Sequence, residues 1–194
     1  MPHKNLSRLW LGFLLATALG IILLPLTLSN STSSKTGIAV KTAHTHQKDQ
    51  AFFLTARINY QLTEDALSAL KNGITLNFTV NISVIEPRRW LPNKTLLTLP
   101  LTYQLKYHTL AKTYQLTDMR QQQHNFSRLE PALHALGTLK DISLHAPSIQ
   151  NKKHLQGQIK VSLNIEALPL PMRAMAYISP GWHLRSNTYL WPIH

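Results

Sequence analysis

The chain has 194 residues, 20 Lys and Arg against 8 Asp and Glu, a formal charge of +12 and no cysteine. The absence of cysteine excludes a disulfide framework, a cysteine-based zinc site and a lipid anchor on cysteine. The cationic balance leaves anionic lipid headgroups, acidic envelope polymers or nucleic acid as candidate partners, beside a surface that is simply solvated.

Residues 1–8 carry Lys4 and Arg8, and residues 9–28 carry no charge. A spanning helix needs roughly 20 apolar residues, whereas a signal peptide usually has about 7–15 before its cleavage site. Residues 9–28 therefore predict an N-terminal hydrophobic helix that anchors the protein in a membrane; residues 1–28 are read as a signal anchor, with a signal peptide cleaved near Ser29 or Ser31 as the alternative. Lys4 and Arg8 balance Lys35, Lys41 and Lys48 on the other side, so charge counting does not set the orientation. A short basic leader placed directly against the apolar run favours an N-in arrangement, with the domain outside. Without Lys4 and Arg8 that exported part keeps 18 basic and 8 acidic residues, a charge of +10.

Residues 29–50 are mostly Ser, Thr, Lys, His and Gln and predict a flexible polar tether. His44 and His46 form a His-x-His pair within it, two ligands without a third, which is a poor metal site. No metal or other cofactor is expected.

Residues 51–194 are read as one domain. Strict alternation begins with Leu54, Ala56, Ile58, Tyr60 and Leu62 and returns over 74–84, 97–107 and 159–165. Shorter strands are expected at 114–116 and 142–144. One wet face per strand is the mark of antiparallel sheets. The predicted fold is therefore mainly β (α+β), an antiparallel two-layer β-sandwich with two short helices. Thr63 is placed to cap the first, with Glu64 and Asp65 in its first turn and Gly73 beyond its end. The second lies between Ser127 and Gly137 and begins either after a Ser127 capping box or at Glu130 with Pro131 as its first residue. Pro100 removes a backbone donor from its strand and implies an edge or a bulge.

Chemistry-bearing patterns are sparse. Gly-x-Ser-x-Gly, His-Glu-x-x-His and phosphate-binding glycine loops are absent. The adjacent pair Glu64 and Asp65 is accounted for by its helix start, and the histidines are scattered. No catalytic residue is assigned, and the protein is expected not to be an enzyme. Candidate binding residues come from two aromatic segments. Arg88, Arg89 and Trp90 follow the longest alternating strand between Pro87 and Pro92. A guanidinium pair beside an indole can hold a carboxylate or phosphate; the competing expectation is that Trp90 closes the end of the sandwich under the arginine stems. In the C-terminal segment, Trp182, Leu184 and Ser186 alternate with His183 and Arg185, as in a last strand added to a sheet. Trp182 and Ser186 complete the candidate set.

The order of Gly73 with its strand, Arg88-Arg89-Trp90, Leu168-Pro169-Leu170-Pro171 and Trp182-x-Leu184-x-Ser186 resembles the DUF4390 family of small exported proteobacterial proteins. The likeness covers most of residues 50–192. Leu91 stands where a second aromatic is expected in members. The resemblance implies an export signal or anchor and a place in a Gram-negative cell envelope, and it implies no reaction. The expected protein is a single-pass inner-membrane protein held by residues 9–28, with its domain in the periplasm. Its role is a non-enzymatic binding or accessory module whose partner is an envelope or inner-membrane protein. The alternative is a binding domain for an anionic small molecule, lipid headgroup or glycan. Nucleic acid is not expected, since export removes the domain from it and no groove interleaving cations with aromatics is legible.

Overall fold

A computed structural model describes residues 37–49, 51–149, 152 and 154–193; the expected anchor at 9–28 lies outside them. Among the described residues no helix is long and apolar enough to cross a membrane.

Among the described residues, alternation becomes nine strands and three helices. The strands are β1 (Gly37–Lys48), β2 (Ala51–Gln61), β3 (Leu76–Glu86), β4 (Lys94–His108), β5 (Thr113–Thr117), β6 (Gln123–Phe126), β7 (Thr138–Ser143), β8 (Leu155–Leu163) and β9 (Tyr189–Ile193). The helices are α1 (Glu64–Lys71), α2 (Leu129–Leu136) and α3 (Leu170–Ile178). They build two antiparallel sheets, β1-β2-β7 and β6-β5-β4-β3-β8-β9. Leu54, Ile58 and Tyr60 from one sheet join Phe78, Val80, Ile82, Ile159 and Val161 from the other in a single core.

Two cross-sheet contacts fix the direction of the strands. Tyr60 lies edge-on to Phe78 with centroids 5.2 Å apart, and Trp191 Nε1 donates to Thr45 Oγ1 at 2.6 Å. Ile38 pairs with Tyr60, while Trp191 pairs with Gly157, which itself faces Val84. Gly37 therefore sits at the Phe78 end, and the β3–β4 turn lies at the opposite end.

Residues 37–48 correct the expectation of a tether reaching to residue 50. Ile38 and Val40 turn toward the core, and then Ala43 and Thr45 do, because Lys41 is an extra residue between the pairs Val40–Ile58 and Thr42–Arg57. A bulge shifts the phase of alternation by one residue, so a strict two-residue period misses the strand. His46 belongs to β1, stacked on Phe53 with Nε2 3.5 Å from Asp141.

Thr63 caps α1 as expected, its Oγ1 accepting from Ala66 N at 3.3 Å. Helix α2 starts after Arg128, between the two expected starts. Pro131 is then its third residue, where an N–H would have no intrahelical partner. The additional helix α3 carries Pro171 in its first turn for the same reason. Pro100 faces Asn81 of β3, while β5 covers β4 only from Gln104 to His108. The other side of β4 at Pro100 is thus an edge. The expected strand through 182–186 is replaced by a 3-10 turn at Pro180–Trp182 and a single bridge from Arg185 to Ser162, and β9 begins only at Tyr189.

Candidate functional site

The turn between β3 and β4 is built rather than loose. Pro87 has no N–H to continue the β3 ladder, and Pro92 restricts Leu91 before it. Across the turn Arg88 N donates to the side-chain oxygen of Asn93 at 3.3 Å. The stem is braced from outside the hairpin. Lys152 Nζ reaches Glu86 Oε2 at 2.7 Å, and Ser148 Oγ donates to Leu96 O at 2.8 Å. Leu96 is the extra residue between the pairs Val84–Leu97 and Ile85–Thr95, so Ser148 serves a carbonyl at the break in the ladder. The Lys152 hydrogen bond, assisted by the charges of Lys152, Arg88 and Lys94, holds the Glu86 carboxyl below its usual range against a smaller opposing desolvation.

Beyond this stem the whole turn is exposed. Trp90 is 87% and Leu91 63% accessible, which overturns the expectation that Trp90 closes the end of the sandwich. The Arg89 guanidinium carbon lies 5.6 Å from the centre of the Trp90 ring, within cation–π range. Two cations and two large apolar side chains therefore project together.

Trp182 and Ser186 do not join them. Trp182 is buried in the turn beside α1, where Thr63 Oγ1 donates to Gly181 O at 2.6 Å. Ser186 is also buried, and it exchanges two hydrogen bonds with Val161: its N donates to Val161 O at 2.8 Å and its Oγ accepts from Val161 N at 2.9 Å. Here β9 has not yet begun, so the Ser186 hydroxyl supplies the acceptor that a paired strand would offer. Both residues hold the C-terminal segment to the core.

Among the described residues, Tyr60 and Tyr103 are the buried titratable groups of the core. Burial, helped by Tyr103, pushes the Tyr60 phenol far above its ordinary value, and its hydroxyl has no hydrogen-bond partner among the described residues. Burial and the charge of Asp118 push Tyr103 up to about 12. Both stay protonated at neutral pH, which suits packing better than proton transfer. Among the described residues no group of three His, Cys, Asp or Glu is gathered as metal ligands.

Leu91, which stands where a second aromatic is expected, is not among the candidate binding residues read from the sequence. The signal was its place beside Trp90 inside the Pro87–Pro92 bracket, where no sheet partner remains to cover it.

Residues 35–192 match the family model described as "Domain of unknown function (DUF4390)". No curated protein and no solved structure matches the chain.

Proposed function

We propose a role that starts from family membership: the chain belongs to the DUF4390 family, and we infer that it is a non-enzymatic accessory protein of the bacterial cell envelope. Residues 9–28 tether it to the inner membrane, its β-sandwich lies in the periplasm, and the Arg88–Leu91 turn docks on an envelope or inner-membrane protein.

Exposure of Trp90 and Leu91 on a braced hairpin is the observation that supports this reading. Large apolar side chains on a projecting tip stay in water unless a partner covers them. Trp and Arg dominate the binding energy of protein interfaces. A projecting tip also cannot enclose a small molecule, since ligand sites are concave. By strand rise, Gly37 and the tip stand at opposite ends of the sheets, on the order of 30 Å apart.

The test is isolation of the full-length protein from gently solubilised envelope after in-cell crosslinking, with Trp90→Ala/Leu91→Ser alongside. One reproducible protein that accompanies the wild type and is lost from the variant supports the role. An uncomplexed monomer in several mild detergents, or identical company for both proteins, contradicts it.

The contact between Arg89 and Trp90 favours a second reading, attachment to an anionic lipid headgroup or glycan. Under that reading Arg88→Glu/Arg89→Glu abolishes binding to anionic liposomes or to an acidic glycan; unchanged binding to both eliminates it.

A further inference from the structure

We propose that the groove between β1, β2 and α2 binds a small amphipathic anion, a carboxylate or phosphate head carried on an apolar body. The groove has a volume of about 690 Å³, within the range of small-ligand sites, and it lies apart from the β3–β4 turn.

Its cations arrive from three elements. Lys41 is the bulged residue of β1, placed beside the Thr42–Arg57 pair by the local break in register. Bulges commonly re-aim a side chain in this way. Arg57 comes from β2 and Arg128 from the start of α2. Among the described residues, none of the three has a carboxylate oxygen within 4 Å; the ion pairs found there join His46 to Asp141, His124 to Asp118, Lys152 to Glu86 and Arg173 to Glu166. Glu130 also lines the groove, so three permanent cations face one acid.

Two further features suit an anion. Arg57 Nη1 lies 2.6 Å from His134 Nε2. A guanidinium has no acceptor, so His134 Nε2 accepts there, which steadies the guanidinium. Arg128, the residue before α2, makes no side-chain cap bond, so no cap side chain occupies the first-turn N–H groups, and Glu130 is the one acid that stands in that turn. The apolar part of the wall comes from Ile58, Pro131 and Leu133. An inorganic ion would leave that wall uncovered, and a neutral apolar molecule would leave the cations unmatched.

The experiment uses the full-length protein in zwitterionic nanodiscs, titrated calorimetrically with phenyl phosphate, with 3-phenylpropanoate and with neutral 3-phenylpropanamide. Saturable binding of either anion and none of the amide is expected, and the preferred anion identifies the head group. Lys41→Gln and Arg57→Gln should each weaken it about tenfold, while Lys160→Gln, at an exposed position of β8 in the other sheet, leaves it unchanged. Lys41 makes no side-chain hydrogen bond or ion pair among the described residues, so Lys41→Gln probes the groove without removing a structural contact. Failure of both anions to saturate, equal affinity for the amide, retained binding in both groove variants, or an equal loss in Lys160→Gln would each overturn the proposal.

Discussion

Gly157→Ala is a one-carbon change with a calculable cost. Gly157 faces Trp191 across β8 and β9, and a Cβ at 157 would overlap Cε2 and Cζ2 of the indole. The ring is buried and its Nε1 is bonded to Thr45 Oγ1, so it cannot swing away without loosening β1. Overpacking of this kind costs about 1–3 kcal/mol, and loss of the Thr45 bond adds about 1 kcal/mol. Removing a glycine from a strand returns roughly 0.5–1 kcal/mol. The net cost is about 2 kcal/mol, which lowers the melting temperature of a domain this size by roughly 4–8 °C. Thermal unfolding followed by tryptophan fluorescence and near-UV circular dichroism measures it. In a Trp191→Leu background the same change should cost less than about 0.5 kcal/mol, because the ring it strikes is gone. An unchanged or raised melting temperature for Gly157→Ala would refute the reasoning, and so would an equal cost in both backgrounds.

Trp90→Ala/Leu91→Ser removes exposed side chains without core contacts and should shift the melting temperature by no more than about 2 °C, since surface changes stay within about 0.5 kcal/mol; a large drop in the same thermal scan would mean that the turn is structural. Ser186→Ala strands the buried Val161 N–H and should cost about 1–3 kcal/mol, measured by chemical denaturation. Glu86 is lowered in the folded state, so its contribution is complete above the ordinary carboxylate pKa and is lost as pH falls through the lowered folded value. Lys152→Met should therefore raise the Glu86 titration midpoint in carboxyl-selective NMR and remove that acid-side loss of stability; an unmoved midpoint would contradict the Lys152 bond.

The elements legible in the sequence were those whose pattern was continuous. Phe78, Val80 and Ile82 alternate with polar residues without interruption, so β3 could be read directly, as could α1 from Thr63 and its acidic first turn. Helix α3 was hidden by its opening Leu-Pro-Leu-Pro, which looks extended although proline is harmless in a first turn. Strand β1 was hidden by Lys41, whose insertion moves the inward positions from even to odd numbers. The same residue concealed the groove, since Lys41, Arg57, Arg128 and His134 are remote in sequence and meet only through the bulge and the fit of α2 beside β2. Arg88, Arg89 and Trp90 were legible as a cluster, but their exposure was not: a tryptophan after a buried strand suits core closure equally well, and only the braced stem carries it clear of the core. Trp182 and Ser186 stood out for their chemistry, and the fold buries both, Ser186 bonded to Val161.

The docking role of the turn is tested most directly by placing a photoreactive amino acid at Leu91 in the full-length protein and irradiating living cells. Leu110, 99% exposed in the turn at the other end of β4, supplies the comparison. A discrete protein adduct from position 91, absent from position 110 and abolished by Arg88→Glu/Arg89→Glu, is the predicted result. No protein adduct at 91, or the same adducts from both positions, would contradict a role for the Arg88–Leu91 turn in docking.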